Sequence, residues 1–147
     1  MLLRSLPVSG VGLPSERSYH ANHANATATP MIDLSAFHAL AQTTLGPFAA
    51  KPTSLQAGQQ EASKPLWTSP DGRVAIGIWE CTPGRFTADR TKASEFCHFI
   101  SGTVEMTHAD GSKVLLGAGD AINLPLGWTG TWHVLTQVRK LYVITQA

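Results

Sequence analysis

Short apolar runs separated by clusters of Gly, Pro, Asp and Ser fill the chain from Leu66 onward. Runs of this length, rich in Val, Ile, Leu, Phe and Trp, predict β-strands. They fall at 73–80, 85–90, 95–100, 103–107, 113–116, 121–124, 130–136 and 140–145. In the fourth, Val104 and Met106 share one face while Thr103, Glu105 and Thr107 share the other, as a strand with one wet face requires. Asp110-Gly111 is a strong two-residue hairpin signal. Further turns are predicted at Ser69-Pro70-Asp71-Gly72, at Thr82-Pro83-Gly84, at Ser101-Gly102 and from Gly117 to Asp120. Strands this short with turns this tight predict an all-β jelly roll or closed barrel over residues 66–147, with no internal repeat.

The first third of the chain lacks this pattern. Residues 1–30 are broken by Arg4, Pro7, Gly10, Gly12 and Pro14, so no unbroken apolar centre of a signal peptide is present, and a poorly ordered polar extension is expected. Asn25-Ala26-Thr27 matches a glycosylation acceptor, and His20 and His23 have a metal-compatible spacing, but no further ligand lies near them. Met31 is a second candidate start. Residues 31–65 divide in two. Leu34, Phe37, Leu40 and Ala41 recur at helical spacing behind Asp33 as N-cap, which predicts a short helix over 33–42. Residues 51–63 are polar and read as a connecting arm.

Composition narrows the partners. Charged residues are 14% of the 147 and the net charge is +1, which argues against nucleic acid or an anionic membrane, since both need a basic patch. No apolar run is long enough to span a bilayer. Two cysteines, Cys81 and Cys97, do not make a disulfide framework, and a cytoplasmic location is expected.

The segments W-E-C-x-P-G-x-F, E-F-C-H-x-x-x-G, G-D-x-x-x-x-P-x-G-W-x-G-x-W and V-R-K-x-Y cover most of 66–144. Together they resemble the cupin superfamily, in particular the Cupin_3 group related to ureidoglycine aminohydrolases. The resemblance implies a single double-stranded β-helix and a homodimer that pairs through an outer sheet, with 49–63 as a candidate exchanged arm. A metal-binding cupin carries two histidines and a glutamate in its first motif and a third histidine in its second. Here Gly84 and Gly102 bound the first motif and Glu95 keeps its place, but Arg90 and Lys92 stand at the histidine positions. In the second motif Gly119, Pro125 and Gly127 match, while Gly130 and Val134 stand where His and Asn are expected. One carboxylate beside two cations is a poor divalent-metal site, because transition metals want three or four converging donors. No cofactor is therefore expected; a metal, if bound, would rest on Glu95 and Cys97.

What remains is a pocket. Strand alternation turns Glu95 and Cys97 inward and His98 outward, and Trp132 inward if position 130 faces in. The expected ligand-binding residues are Arg90, Lys92, Cys97, Trp128, Trp132, Lys140 and Tyr142, with Glu95 as the candidate catalytic group. Two cations suit a carboxylate or a ureido carbonyl. Glu95 could serve as a base if burial raised its pKa, or simply pair with Arg90 as a structural ion pair. The tryptophans could be core or dimer contacts, and Cys97 a small buried hydrophobe. Three readings follow: a cupin that binds a small anionic or ureido-type metabolite without a metal, a metal-dependent hydrolase with a rearranged ligand set, and a non-catalytic sensor or structural dimer.

Overall fold

A computed structural model describes residues 37–147. Asn25, His20, His23, Met31 and the Asp33 cap lie outside the described residues. Eight strands form the fold: β1 (Ala49–Ala50), β2 (Gln60–Thr68), β3 (Val74–Cys81), β4 (Gly84–Asp89), β5 (Ala93–His108), β6 (Lys113–Gly117), β7 (Ala121–Leu124) and β8 (Thr129–Gln146). All pairings are antiparallel. Among the described residues no helix is long and apolar enough to cross a membrane.

The frame is the ladder between the two long strands, β5 and β8, which pair from Ala93↔Gln146 to His108↔Gly130. Each half of the ladder has its own flanks. At one half β3 adds to β8 and β7 adds to β5; at the other β4 adds to β8 and β6 adds to β5. That is the jelly-roll arrangement, in which two sheets share their longest strands. The expected strands 95–100 and 103–107 are thus one strand, and so are 130–136 and 140–145. Gly102 does not end a strand. It sits at φ 82 inside β5, where the register shifts, and a Cβ there would lie 2.1 Å from the Gln137 carbonyl oxygen. Gly102 is the hinge of a bulge, and bulges bend a strand from one sheet to the next.

Two N-terminal expectations are corrected. Among the described residues of 33–42 there is no α-helix, only a single 3-10 turn at Leu40–Gln42. Ala39 before it has φ 50, a left-handed conformation that no right-handed helix passes through. The carbonyls of Leu40 and Thr43 instead accept hydrogen bonds from Arg139 Nη1, at 2.9 and 2.8 Å. Nor is the barrel's start at residue 66. The last part of the supposed arm, from Gln60, belongs to β2, which pairs with β3 from Glu61↔Cys81 to Thr68↔Ala75 with a register shift between Pro65 and Trp67. Residues 51–59 form a strap along the edge of β4, with Leu55 N donating to Arg85 O and Thr87 N donating to Thr53 O.

The core lies between the two sheets. Phe86, Phe99, Val104, Met106, Leu116, Leu124, Trp132, Val134 and Val138 are buried in one cluster. Trp132 is its centre, with ring centroids 5.3 Å from Phe86, 5.9 Å from Trp79 and 6.1 Å from Phe99. Edge and tilted contacts of this kind add to the burial of large apolar area.

Candidate functional site

Strand alternation builds the site. Along the first half of the β5–β8 ladder the inward residues are Glu95, Cys97 and Phe99, opposite Ile144, Tyr142 and Lys140. β3 continues the rows with Trp79 opposite Lys140 and Gly77 opposite Tyr142, and β2 adds Ser63 opposite Trp79. Phe86 and Trp132 come from the other sheet. Together they enclose a cavity of about 270 Å³. That volume is at the small end for ligand pockets, which run from roughly 300 to 1,000 Å³ for drug-sized molecules.

Two ion-pair systems line it. In the deeper one Glu95, 2% exposed, accepts from Lys140 Nζ through Oε1 at 2.5 Å and from Arg90 Nε through Oε2 at 2.8 Å; Arg90 Nη2 also donates to Oε2. Burial acts to raise the Glu95 pKa. The Lys140 and Arg90 charges and their hydrogen bonds outweigh it, so the carboxyl is held below its ordinary value. Glu95 is thus a fixed anion with both oxygens engaged, and the condition for base catalysis, a raised pKa, is reversed. The second system is Lys51 with Glu61, Nζ to Oε2 at 2.6 Å, and Trp79 Nε1 donates to the same oxygen at 2.8 Å.

Trp79 joins the two. Lys140 Nζ lies 4.7 Å from its ring centroid and 4.4 Å from that of Trp132. Lys51 Nζ lies 5.5 Å from Trp79 and 4.2 Å from Phe86. Each ammonium therefore rests on aromatic faces, whose negative quadrupole replaces some of the lost hydration. Tyr142 completes the wall. Its ring crosses Gly77 so closely that a Cβ there would lie 2.3 Å from the hydroxyl. Burial pushes the Tyr142 phenol up.

The residues expected from the sequence separate into two groups. Arg90, Glu95, Trp132, Lys140 and Tyr142 meet around the cavity. Cys97 lies behind the lining, fully buried, with Lys140 Nζ 3.5 Å from its Sγ. Burial pushes its thiol up to about 11 against the pull of Lys140. Lys92 is exposed and lines an outer hollow with Asp89 and Gln146, which adjoins the cavity at Arg90 and Ile144. Trp128 is elsewhere as well. Its ring covers Gly130, where a Cβ would lie 2.5 Å from it, and its N–H donates to His108 Nδ1 at 2.9 Å. The place of the second-motif histidine is thus filled by an indole. Lys51, Glu61, Ser63 and Trp79 were missed. For Glu61 and Ser63 the signal is their alternation on β2, which a polar strand conceals.

The cavity does not fit a divalent metal. Glu95 is saturated by Arg90 and Lys140, Cys97 is protonated beside the same Lys140 ammonium, and among the described residues no three His, Cys, Asp or Glu converge. A metal would have to displace cations rather than exploit free donors.

A family model described as the EutQ-like cupin domain matches residues 68–142. The chain belongs to that family. Solved structures agree on the fold. The EutQ protein of Clostridium difficile is 27% identical with a TM-score of 0.55, over 63% of this chain and 66% of that one. A putative ethanolamine utilization protein Q from Salmonella typhimurium is 26% identical with a TM-score of 0.53, over 60% and 71%. A protein of unknown function from Pseudomonas syringae pv. tomato is 24% identical with a TM-score of 0.60, over 69% and 43%. The chain therefore spans less than half the length of the Pseudomonas protein and just under two-thirds of the Clostridium EutQ. Among curated proteins, none matches this chain.

Proposed function

We propose that this EutQ-like cupin binds a small anionic metabolite in its barrel, without a metal. One observation carries the reading: the cavity is lined by three cations, Lys51, Arg90 and Lys140, and by two carboxylates, Glu61 and Glu95. Its net charge is positive, and donors are left over after both ion pairs form. An ammonium has three N–H donors. Lys51 spends one on Glu61, and Lys140 spends one on Glu95 and one weakly on Cys97. Buried donors without partners are costly, and a carboxylate supplies acceptors to several at once. The aromatic walls lower the local dielectric and strengthen such contacts. The motif resemblance to ureidoglycine aminohydrolases adds a ureido group, whose carbonyl is also an acceptor, to the ligands worth testing.

The test is a calorimetric titration of propionate and of N-carbamoylglycine into wild type and into Lys51→Ala. Binding in the wild type, weakened about tenfold or more in the variant, is expected from the loss of one charge-assisted hydrogen bond. Equal affinity for both proteins overturns the assignment of Lys51. No binding of either acid overturns the anion reading.

A further inference from the structure

We infer that Glu61 is the cavity's ligand acceptor, and that the anion it selects is a small acid carrying a neutral hydroxyl or N–H donor. The inference rests on the anion reading above and narrows it.

The two carboxylates of the cavity are not equivalent. Both oxygens of Glu95 are occupied, one by Lys140 and the other by Arg90. Glu61 is held through one oxygen alone: Oε2 accepts from both Lys51 and Trp79. Among the described residues Oε1 takes no hydrogen bond. The two donors anchor Oε2, since the indole N–H is rigid and the ammonium is braced on Phe86. Oε1 is then a preorganised acceptor at a defined place. Such an acceptor rewards a ligand that brings a donor and penalises one that displaces its water without replacing the bond.

Charge decides what kind of donor. The lining carries one more cation than carboxylate, so one ligand carboxylate neutralises it. A ligand ammonium would restore the excess beside Lys51. A hydroxyl, amide or ureido N–H satisfies Oε1 without that repulsion. Ser63, on the same inward face of β2, lines the cavity beside Glu61 and its hydroxyl can donate or accept as the ligand requires.

The experiment compares propionate with 2-hydroxypropionate, 3-hydroxypropionate and 1,3-propanediol by quenching of the cavity tryptophans. At least one hydroxy acid is expected to bind about tenfold or more tightly than propionate in wild type, the size of one hydrogen bond to a charged group. In Glu61→Ala that preference is expected to disappear while propionate still binds. Glu61→Gln, which keeps an acceptor, is expected to retain part of it. If propionate binds as well as both hydroxy acids, the inference is overturned and the anion reading stands; this arm needs only wild type, so a variant that fails to fold does not shield it. An unchanged preference in Glu61→Ala also overturns it. Binding of the diol without any acid overturns the anion reading but keeps Glu61 as an acceptor. Binding of none of the four overturns both.

Discussion

The two halves of the β5–β8 ladder are built alike and filled differently. In one half the inward residues are Glu95, Cys97, Lys140 and Tyr142 together with the apolar Phe99 and Ile144; in the other they are Val104, Met106, Trp132 and Val134. The second half is filled by apolar side chains, with Leu116 from β6 and Phe86 from β4 packed against it. The first opens into a charged cavity. The comparison teaches that the backbone does not distinguish a site from a core. Side-chain chemistry at matching positions of one ladder does, and Trp132 stands where the two meet, touching the core on one side and the cavity on the other.

Breaking the charged half should cost most. Glu95→Leu leaves the Lys140 ammonium, 5% exposed, without its carboxylate. Removing one partner of a buried pair destabilises by about 3–5 kcal/mol. A urea titration at unchanged slope reads it, and the double variant Lys140→Met/Glu95→Leu should recover part of the loss, since apolar replacement of a buried pair is near neutral and the remaining cation, Arg90, is 22% exposed and can reach solvent. A loss below about 1 kcal/mol would place the pair in the surface class instead.

The closed half should respond in stability alone. Met106→Ala is expected to cost about 2–5 kcal/mol by leaving a cavity, with propionate affinity unchanged at temperatures where the protein is folded. A parallel loss of affinity would mean that the halves are coupled.

The thiols sharpen the contrast between burial and reactivity. Burial pushes Cys81 and Cys97 each up to about 11 from 9.0, so at neutral pH the native thiolate fraction falls about a hundredfold. Iodoacetamide at pH 8 should label neither in the folded protein and both in urea. Rapid labelling of native Cys97 would contradict its place behind the lining.

The smallest effect is the acid limb. The Glu95 carboxyl is held below its ordinary 4.5 in the fold. A carboxyl whose folded pKa is depressed adds stability above its unfolded pKa, and that contribution is lost as pH falls through the folded value. Wild type should therefore lose stability below about pH 5, and Glu95→Gln should lose less over the same window. Asp71, Asp89 and Asp110 are depressed too, by local hydrogen bonds, so the variant keeps a residual acid slope.

What the sequence revealed follows the same division. The closed half was legible because its inward residues are apolar and alternate with polar ones, as Val104 and Met106 do against Thr103 and Glu105. β2 was not, because its inward residues Glu61 and Ser63 face a polar cavity, so the alternation that marks a strand is absent and the segment reads as a linker. Glu95, Arg90, Lys140 and Tyr142 were found because motif spacing and strand parity do not depend on hydropathy. Lys92 failed for a local reason: the chain turns between Asp89, which binds Thr91 through its backbone N and hydroxyl, and the start of β5, so parity counted from Arg90 does not carry through. Trp128 failed because the loop at Pro125–Trp128 folds its ring over Gly130 rather than into the cavity. Over its described residues, 37–42, the expected helix is absent because periodicity says nothing of Arg139, distant in sequence, which takes the carbonyls of Leu40 and Thr43.

The most direct test of the account is amide chemical-shift mapping of the labelled protein titrated with propionate. The account predicts saturable shifts confined to the charged half, at Glu61, Ser63, Trp79, Glu95, Lys140 and Tyr142, with Val104, Met106 and Leu116 unmoved. Shifts centred on the hollow of Trp128 and His108, on the outer hollow of Lys92, or nowhere at saturating acid would contradict it.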